Sequence, residues 1–217
     1  MKKTIIFDAD GTILNSLWVW DNLVLNFLLN KKINVEKNLH DMLWTLSFDE
    51  GIYYIKEKYK LKESFDEINS ILQDKLKYNY INEVELFNGT KELLKELKEK
   101  NYSLLVASAS RKELLKECFI KNDIDSYFDS IITESEYNTS KANTLFFEKI
   151  IKNYNLEYIN TLVIDDAIHS LKSAKKLNLK TIGILNNNES KDYEEICDLC
   201  INSIGELNEE SINNCWK

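Results

Sequence analysis

The 217-residue chain contains no proline and only five glycines. The two residues that most often form turns and end helices are therefore scarce. Asparagine and aspartate tolerate the left-handed backbone conformation better than most other residues, so we expect them to form the turns and helix ends. Asparagine and aspartate mark turns less clearly than glycine and proline do. The positions at which helices and strands begin and end are therefore harder to predict than their presence.

Basic residues are fewer than acidic ones. The formal net charge is −8, and Arg111 is the single arginine. Nucleic acids and anionic membranes select basic surfaces, so neither is an expected partner. A small phosphorylated substrate is compatible with this charge, provided that a metal ion and a few lysines reverse the field locally.

Long apolar runs are absent as well, since none approaches the ~20 residues of a membrane-spanning helix. The apolar stretch near the N-terminus ends at Asp8, which is too early for a secretion signal, so we expect a cytoplasmic protein with reduced cysteines. Cys197 and Cys200 have the spacing of a metal or redox motif. A zinc site would need two further ligands, and the only histidines are distant in sequence, which favours structural thiols in a late, buried strand.

Short β-branched and aromatic runs alternate with helical patterns along most of the chain, which predicts a parallel α/β sheet covered on both faces. The predicted strands are Thr4–Phe7, Tyr102–Ala107, Ser130–Thr133, Thr161–Ile164, Lys180–Leu185 and, more weakly, Asp198–Ile201. Nearly a hundred residues separate the first two strands, although a crossover needs only ~10–12. Much of this gap has helical periodicity, with Val35, Leu39, Met42 and Leu46 in one stretch and Phe65, Ile68, Leu72 and Leu76 in another.

We therefore predict two domains: an α/β Rossmann-like core formed by residues 1–15 and 86–217, and an inserted α-helical domain formed by residues 16–85. Aromatic side chains in the insertion either line a substrate pocket or form its core, and helical spacing favours the core. They are Trp18, Trp20, Trp44 and Tyr53. The stretch 186–188 is expected to be an exposed loop.

Two pairs of acids follow predicted strands. Asp8 and Asp10 follow the first strand, and Asp165 and Asp166 follow Val163-Ile164. Ligand sites in open parallel sheets lie outside the carboxyl ends of the strands, where these carboxylates would meet. Clustered carboxylates repel one another unless a hard cation neutralises them, and Mg²⁺ prefers such oxygen ligands. Either pair alone is also typical of a turn or a helix start.

The order and spacing of four motifs resemble the haloacid dehalogenase superfamily, in its phosphatase and β-phosphoglucomutase-like branch, over essentially the whole chain. Asp8-Ala9-Asp10-Gly11-Thr12 is similar to its first motif, Asp-x-Asp-Gly-Thr. Ser108 matches the second, Lys141 the third, and Asp165-Asp166 the fourth. The helical insertion corresponds to the family's cap domain.

The resemblance implies a phosphohydrolase. Asp8 would attack phosphorus and form an aspartyl-phosphate, while Asp10 would protonate the leaving oxygen and then activate water. Ser108, Ala109 and Lys141 would bind the phosphoryl group. Mg²⁺ would be held by Asp8, the backbone carbonyl of Asp10, and Asp166, with support from Asp165. The expected substrate is a small phosphorylated metabolite, such as a sugar phosphate or a nucleotide.

Departures from the family pattern leave alternatives open. The usual Gly-Lys-Pro of the third motif is replaced by Ser140-Lys141-Ala142. Ser108-Ala109-Ser110 resembles β-phosphoglucomutase, but the predicted cap lacks the arginine that this mutase uses. Asp10 favours phosphate chemistry over dehalogenation, because a halide needs no proton. A non-catalytic phosphate-binding or regulatory protein is a further alternative, although none of the motif acids is lost.

Overall fold

The computed structural model of the protein describes residues 2–43, 45–186 and 190–217. The predicted α/β core is confirmed, with a six-stranded sheet in which every pair of neighbouring strands is parallel. Two shorter strands form a separate antiparallel ribbon. In chain order the strands are β1 Thr4–Phe7, β2 Leu14–Asn15, β3 Glu85–Leu86, β4 Ser103–Ser108, β5 Ser130–Thr133, β6 Thr161–Asp165, β7 Lys180–Ile184 and β8 Leu199–Ile201.

The strand order of the large sheet is β5-β4-β1-β6-β7-β8. From β1 the chain continues to β4 on one side, whereas from β6 it continues to β7 on the other. The loops that leave β1 and β6 therefore diverge, and such a switch point opens a crevice at the carboxyl ends of the strands. The fully buried strand β1 lies at the centre of the sheet, which places Asp8 at this crevice.

Helices connect the strands and cover the sheet. They include α5 Thr90–Glu99, α6 Lys112–Lys121, α7 Glu134–Tyr137, α8 Thr144–Asn153, α9 Ile168–Lys176, α10 Lys191–Glu194 and α11 Glu209–Asn214, and they are preceded in the chain by α1 Leu17–Asn30, α2 Leu39–Leu43, α3 Phe48–Lys58 and α4 Phe65–Asn82. The periodic leucines of α5 are buried, as helical spacing predicts. None of the described helices combines the length and apolarity that crossing a bilayer demands.

Asparagine and aspartate take the place of glycine at helix ends, as the composition predicts. Among the described non-glycine residues with positive φ, six are of these two types. They are Asn101, Asp123, Asn138, Asn155, Asn178 and Asn186. Five of them follow or cap the ends of α5, α6, α7, α8 and α9, where a left-handed residue allows the last carbonyls to be paired.

The chain forms two compact units, one of residues 1–15 with 84–217 and the other of residues 16–83. The second unit contains α1 to α4. Both α3 and α4 begin with the same tetrapeptide, Ser-Phe-Asp-Glu, at Ser47–Glu50 and Ser64–Glu67. In each, the serine hydroxyl accepts from the glutamate N–H and the glutamate carboxylate accepts from the serine N–H, which forms a capping box. The assignment of these units to catalytic core and cap stays a prediction.

Helical periodicity predicted part of the second unit incorrectly. The spacing of Val35, Leu39, Met42 and Leu46 suggests one helix, but among the described residues of this stretch only Leu39–Leu43 is helical, and Met42 is exposed. The second stretch is correct, because Ile68, Leu72 and Leu76 are buried on α4. Trp20 packs edge-on against Tyr80 inside this unit, whereas Trp18 and Tyr53 are exposed. Trp44 and residues 187–188 of the expected loop lie outside the described residues.

The cysteine pair differs from expectation. Cys200 lies in β8, but Cys197 precedes this strand, and both side chains are half-buried instead of fully buried. All four cysteines are free thiols.

Candidate active site

Asp8 and Asp10 lie where β1 leaves the sheet. The backbone N–H of Asp8 donates to the carbonyl of Ile164 at 2.8 Å, so the pairing of β1 with β6 continues as far as the first acid. Gly11 follows with a φ of 87°, a conformation that favours glycine, and the chain turns back on itself. Asp8 is buried, and Asp10 is half-buried. The two residues therefore differ in their access to solvent.

Asp165 and Asp166 lie at the adjacent end of β6. One carboxylate oxygen from each of Asp8, Asp165 and Asp166 can be chosen so that all three lie within 4.8 Å of one another. The structure thus brings together acids that are more than 150 positions apart in sequence. The side chain of Asp10 is not part of this group among the described residues, and the metal-binding role expected of its backbone carbonyl stays a prediction.

Lys141 is the cation of this cluster. It lies in the short loop before α8, and its ammonium group donates to Oδ1 of Asp8 at 2.5 Å and to Oδ2 of Asp165 at 2.9 Å. The side chain of Lys141 is only 6% exposed. Burial alone lowers the pKa of this lysine, but the charges of Asp165 and Asp8 outweigh it and raise the pKa above its usual range. The neighbouring acids therefore favour the charged ammonium form of Lys141.

The acids show the effect of crowding. Burial raises the pKa of Asp8 well above its ordinary value, and the neighbouring acids add to this rise although Lys141 opposes it. Burial and the charge of Asp165 raise the pKa of Asp166 to about 7. Both shifts have the same physical origin, because three carboxylates share a poorly solvated region with one ammonium group.

A divalent cation fits this donor set. With all three acids ionised, the cluster carries two excess negative charges after Lys141 is counted. Oδ2 of Asp8 is buried and has no hydrogen-bond partner within the part of the chain that the structure describes. A buried anionic oxygen without a partner is costly, and a hard cation satisfies it. Asp8 and Asp166 are thus suited as ligands.

The carboxylate of Asp165 is held by three hydrogen-bond donors of the protein. It accepts from Lys141, from the backbone N–H of Ala167 at 2.8 Å and from the hydroxyl of Ser170 at 2.6 Å. The last two of these contacts fix the carboxylate of Asp165, at the end of β6, to the start of α9. They suit it to a supporting role beside the metal ligands.

Two of the three predicted phosphate-binding residues, Ser108 and Ala109, lie at the end of β4, next to β1 in the sheet. Ser108 is buried, and Ala109 is exposed. Ser110, which was not among the predicted site residues, donates from its N–H to the hydroxyl oxygen of Ser108 at 3.0 Å and from its own hydroxyl to Oδ2 of Asp10 at 2.6 Å. The β4 loop is therefore linked directly to Asp10.

The loop that carries Lys141 is held by polar contacts. The backbone N–H of Lys141 donates to Oε1 of Glu134 at 2.6 Å, and the N–H of Ala142 donates to the hydroxyl oxygen of Ser140 at 3.0 Å. The proline that is usual in the family at position 142 would have no N–H group. Alanine has one, and the hydroxyl oxygen of Ser140 accepts its hydrogen bond. Sequence reasoning missed Glu134, although it directly follows β5 at the carboxyl edge of the sheet.

Known proteins resemble this chain in sequence and in fold. The chain is 27% identical over 227 positions to glyceraldehyde 3-phosphate phosphatase from Methanocaldococcus jannaschii, covering 95% of this chain and 96% of the relative. It is 22% identical to pyrophosphatase PpaX from Listeria monocytogenes, covering 83% and 82% of the two chains. The crystal structure of CbbY from Rhodobacter sphaeroides with phosphate has the same fold, with a TM-score of 0.79 at 16% identity over 98% of this chain and all of that one.

The family assignment rests on the sequence match and on the motifs together. Residues 5–184 match the family of haloacid dehalogenase-like hydrolases, a range that contains Asp8, Ser108, Lys141 and Asp166. The resemblance inferred from the four motifs is therefore confirmed. The chain belongs to the haloacid dehalogenase-like hydrolase family.

Proposed function

We propose that this protein is a Mg²⁺-dependent phosphohydrolase that transfers the phosphoryl group of a small phosphomonoester to Asp8 and then to water. The observation that carries the proposal is the environment of Asp8. Its Oδ1 is bound by Lys141, while Oδ2 is buried without a hydrogen-bond partner among the described residues, beside Asp165 and Asp166. The two relatives named as phosphatase and pyrophosphatase support phosphoryl chemistry.

In the first step a carboxylate oxygen of Asp8 attacks phosphorus. The new Asp8–phosphorus bond forms as the bond from phosphorus to the substrate oxygen breaks, and Asp10 gives a proton to this leaving oxygen. Lys141 donates a hydrogen bond to the other carboxylate oxygen of Asp8, and this bond orients the nucleophile. The products are an aspartyl-phosphate and a free alcohol.

In the second step water attacks the phosphorus of the aspartyl-phosphate. Asp10 accepts the proton of this water, the bond to Asp8 breaks, and inorganic phosphate leaves. Asp8 is regenerated as a carboxylate and Asp10 as an acid, so the cycle closes. The hydroxyl of Ser110 holds the carboxylate of Asp10 in one orientation, which is needed for both proton transfers.

The charge of the phosphoryl oxygens must be balanced throughout. Mg²⁺, held by Asp8, Asp166 and the carbonyl of Asp10 with Asp165 in support, would supply neutralising charge for these oxygens when bound. Lys141 contributes a fixed positive charge, and Ser108 and the N–H of Ala109 are the proposed hydrogen-bond donors to the phosphoryl group. Positioned donors of this kind contribute most when they are buried, as Lys141 and Ser108 are.

Release of phosphate from p-nitrophenyl phosphate with and without Mg²⁺ tests the proposal. We expect activity that needs Mg²⁺, is removed by EDTA, and is abolished by Asp8→Asn. Asp192→Asn, which changes an exposed acid on α10, is the matched control and should leave activity unchanged. Full activity of Asp8→Asn would overturn the mechanism.

A panel of phosphorylated metabolites identifies the substrate class. The names of the relatives make glyceraldehyde 3-phosphate and pyrophosphate natural first members, followed by sugar phosphates and nucleotides. Conversion of β-glucose 1-phosphate to glucose 6-phosphate, with a trace of the bisphosphate and no release of phosphate, would indicate a mutase instead. Inactivity over the whole panel despite Mg²⁺ binding would indicate a non-catalytic protein.

A further inference from the structure

Asn186 connects two of the loops that form the candidate active site. It follows β7, and its side-chain amide donates to the carbonyl of Gly11 at 2.7 Å and to Oδ2 of Asp166 at 3.2 Å. Gly11 belongs to the loop after β1, and Asp166 to the loop after β6. One amide group therefore ties the first and fourth motifs together.

Tyr193 contacts the backbone of the same acid, Asp166. The hydroxyl of Tyr193 donates to the carbonyl of Asp166 at 2.6 Å, and the side chain is almost fully buried against Leu171 and Leu185. Its ring lies so close to Gly183 that a Cβ there would be 2.8 Å from Cδ1 of the ring. The ring of Tyr193 is thus held firmly by apolar packing, and its hydroxyl is a fixed donor.

Asp165 and Asp166 are held by different groups, and only Asp166 depends on Asn186 and Tyr193 for the contacts described above. Asp165 is held by Lys141, Ala167 and Ser170. Asp166 is only half-buried, and the contacts that hold its carboxylate and its backbone carbonyl come from residues that follow β7 in the chain. A carboxylate that binds a metal ion is usually oriented by such outer contacts.

We propose that Asn186 and Tyr193 are positioning residues for Asp166, which fix its carboxylate where a divalent cation is bound and so determine the affinity for Mg²⁺. The inference rests on the proposed function, because it takes Asp166 as a metal ligand. An amide suits position 186, since its N–H groups satisfy two oxygen acceptors and add no negative charge to a cluster that already has an excess.

Calorimetric titration of the full chain with Mg²⁺ tests this inference. Asn186→Ala and Tyr193→Phe should each weaken Mg²⁺ binding about tenfold, as is typical for the loss of an outer contact to a metal ligand. At saturating Mg²⁺, the KM for p-nitrophenyl phosphate should stay at the wild-type value and kcat should largely recover. That separation distinguishes a positioning role from general damage to the site.

Two matched controls exclude backbone and packing effects. Asn178 is an exposed asparagine that shares the positive φ of Asn186, so Asn178→Ala imposes the same backbone strain away from the site. Tyr102 is a buried tyrosine whose hydroxyl donates to Glu209, so Tyr102→Phe removes a comparable hydrogen bond elsewhere. Both controls should bind Mg²⁺ as the wild type does.

Asp166→Asn separates failure of this inference from failure of the proposed function. If Asp166→Asn abolishes binding while Asn186→Ala and Tyr193→Phe bind Mg²⁺ normally, the positioning role is wrong and the metal site stands. If Asp166→Asn also binds normally, the proposed metal site itself is wrong, and the inference is overturned with it. Should Asn186→Ala fail to fold, Tyr193→Phe alone decides, because it removes a single oxygen atom.

Discussion

The ammonium group of Lys141 lies 2.5 Å from Oδ1 of Asp8, although the two residues are 133 positions apart in sequence. Both side chains are only 6% exposed, so the pair is shielded from water. Buried pairs of this kind act strongly because neither charge is screened. The contact orients the proposed nucleophile and leaves its second oxygen without a hydrogen-bond partner in the described chain.

Replacing Lys141 by methionine should lower kcat for p-nitrophenyl phosphate by about 10²–10³, the usual cost of losing one positioned charge or donor. Methionine is an unbranched side chain nearly as long as lysine, and it lacks the ammonium group. Lys152→Met, at an exposed position of α8, is the matched control and should keep wild-type activity. A Lys141→Met protein with nearly full activity would show that the lysine has no catalytic function.

Replacing Ser110 by alanine should lower kcat about tenfold without changing the affinity for Mg²⁺. The serine hydroxyl orients Asp10, and a positioned acid or base contributes about 10²–10⁴ to the rate, of which loss of orientation removes part. Steady-state kinetics and Mg²⁺ titration measure the two quantities separately. Ser126→Ala, at an exposed position, is the control. Weaker Mg²⁺ binding with unchanged kcat would contradict the role given to Ser110.

Bound Mg²⁺ should stabilise the fold. A ligand that binds only the folded state at a hundred times its Kd adds about 2.7 kcal/mol to the free energy of unfolding. The melting temperature of the wild type should therefore rise with Mg²⁺ concentration, whereas that of Asp166→Asn should not. An equal rise in both proteins would place the binding site elsewhere.

The pH dependence of stability should reflect Asp198, which lies at the opposite end of the sheet from the acid cluster. Burial alone would raise the pKa of its carboxyl, but the hydrogen bonds from Lys175 and from the backbone of Thr181 outweigh burial and lower the pKa below its ordinary value. The folded state therefore binds this proton less readily than the unfolded state. Its contribution to stability is present above pH ~4 and is lost as the pH falls through the lower, folded-state pKa.

Asp198→Asn should accordingly lower the free energy of unfolding at pH 7 by about 1 kcal/mol, a magnitude typical of such hydrogen bonds. The difference from the wild type should shrink at pH 3. Urea unfolding at the two pH values measures both quantities, with the exposed Asp74→Asn as control. A difference that is the same at both values would mean that the charge of Asp198 does not matter.

The features that could be predicted from the sequence are those that depend on local pattern. The strand β1 is a run of apolar, mostly β-branched residues that ends in Asp-x-Asp-Gly, and both its position and the acids after it follow from that pattern. The ribbon of Leu14–Asn15 with Glu85–Leu86 could not be predicted, because two residues are too few to show periodicity. The capping boxes at Ser47 and Ser64 were present in the sequence as a repeated tetrapeptide and could have located α3 and α4.

Contacts between distant loops are a different case. Nothing near Asn186 in the sequence indicates that its amide reaches Gly11, 175 positions away. Ser110 likewise acquires its partner Asp10, 100 positions away, only when the neighbouring strands β1 and β4 bring their ends together. The motifs therefore predict which residues carry the chemistry, whereas the residues that orient them emerge from the packing of the sheet.

The central claim is that Asp8 becomes phosphorylated, and trapping of that intermediate tests it most directly. The protein would be mixed with p-nitrophenyl phosphate and Mg²⁺, quenched, and treated with borohydride, which reduces an acyl phosphate to an alcohol that peptide mass spectrometry can locate. We predict reduction at position 8 and nowhere else. Reduction at another acid, or none at all while phosphate is being released, would contradict the account.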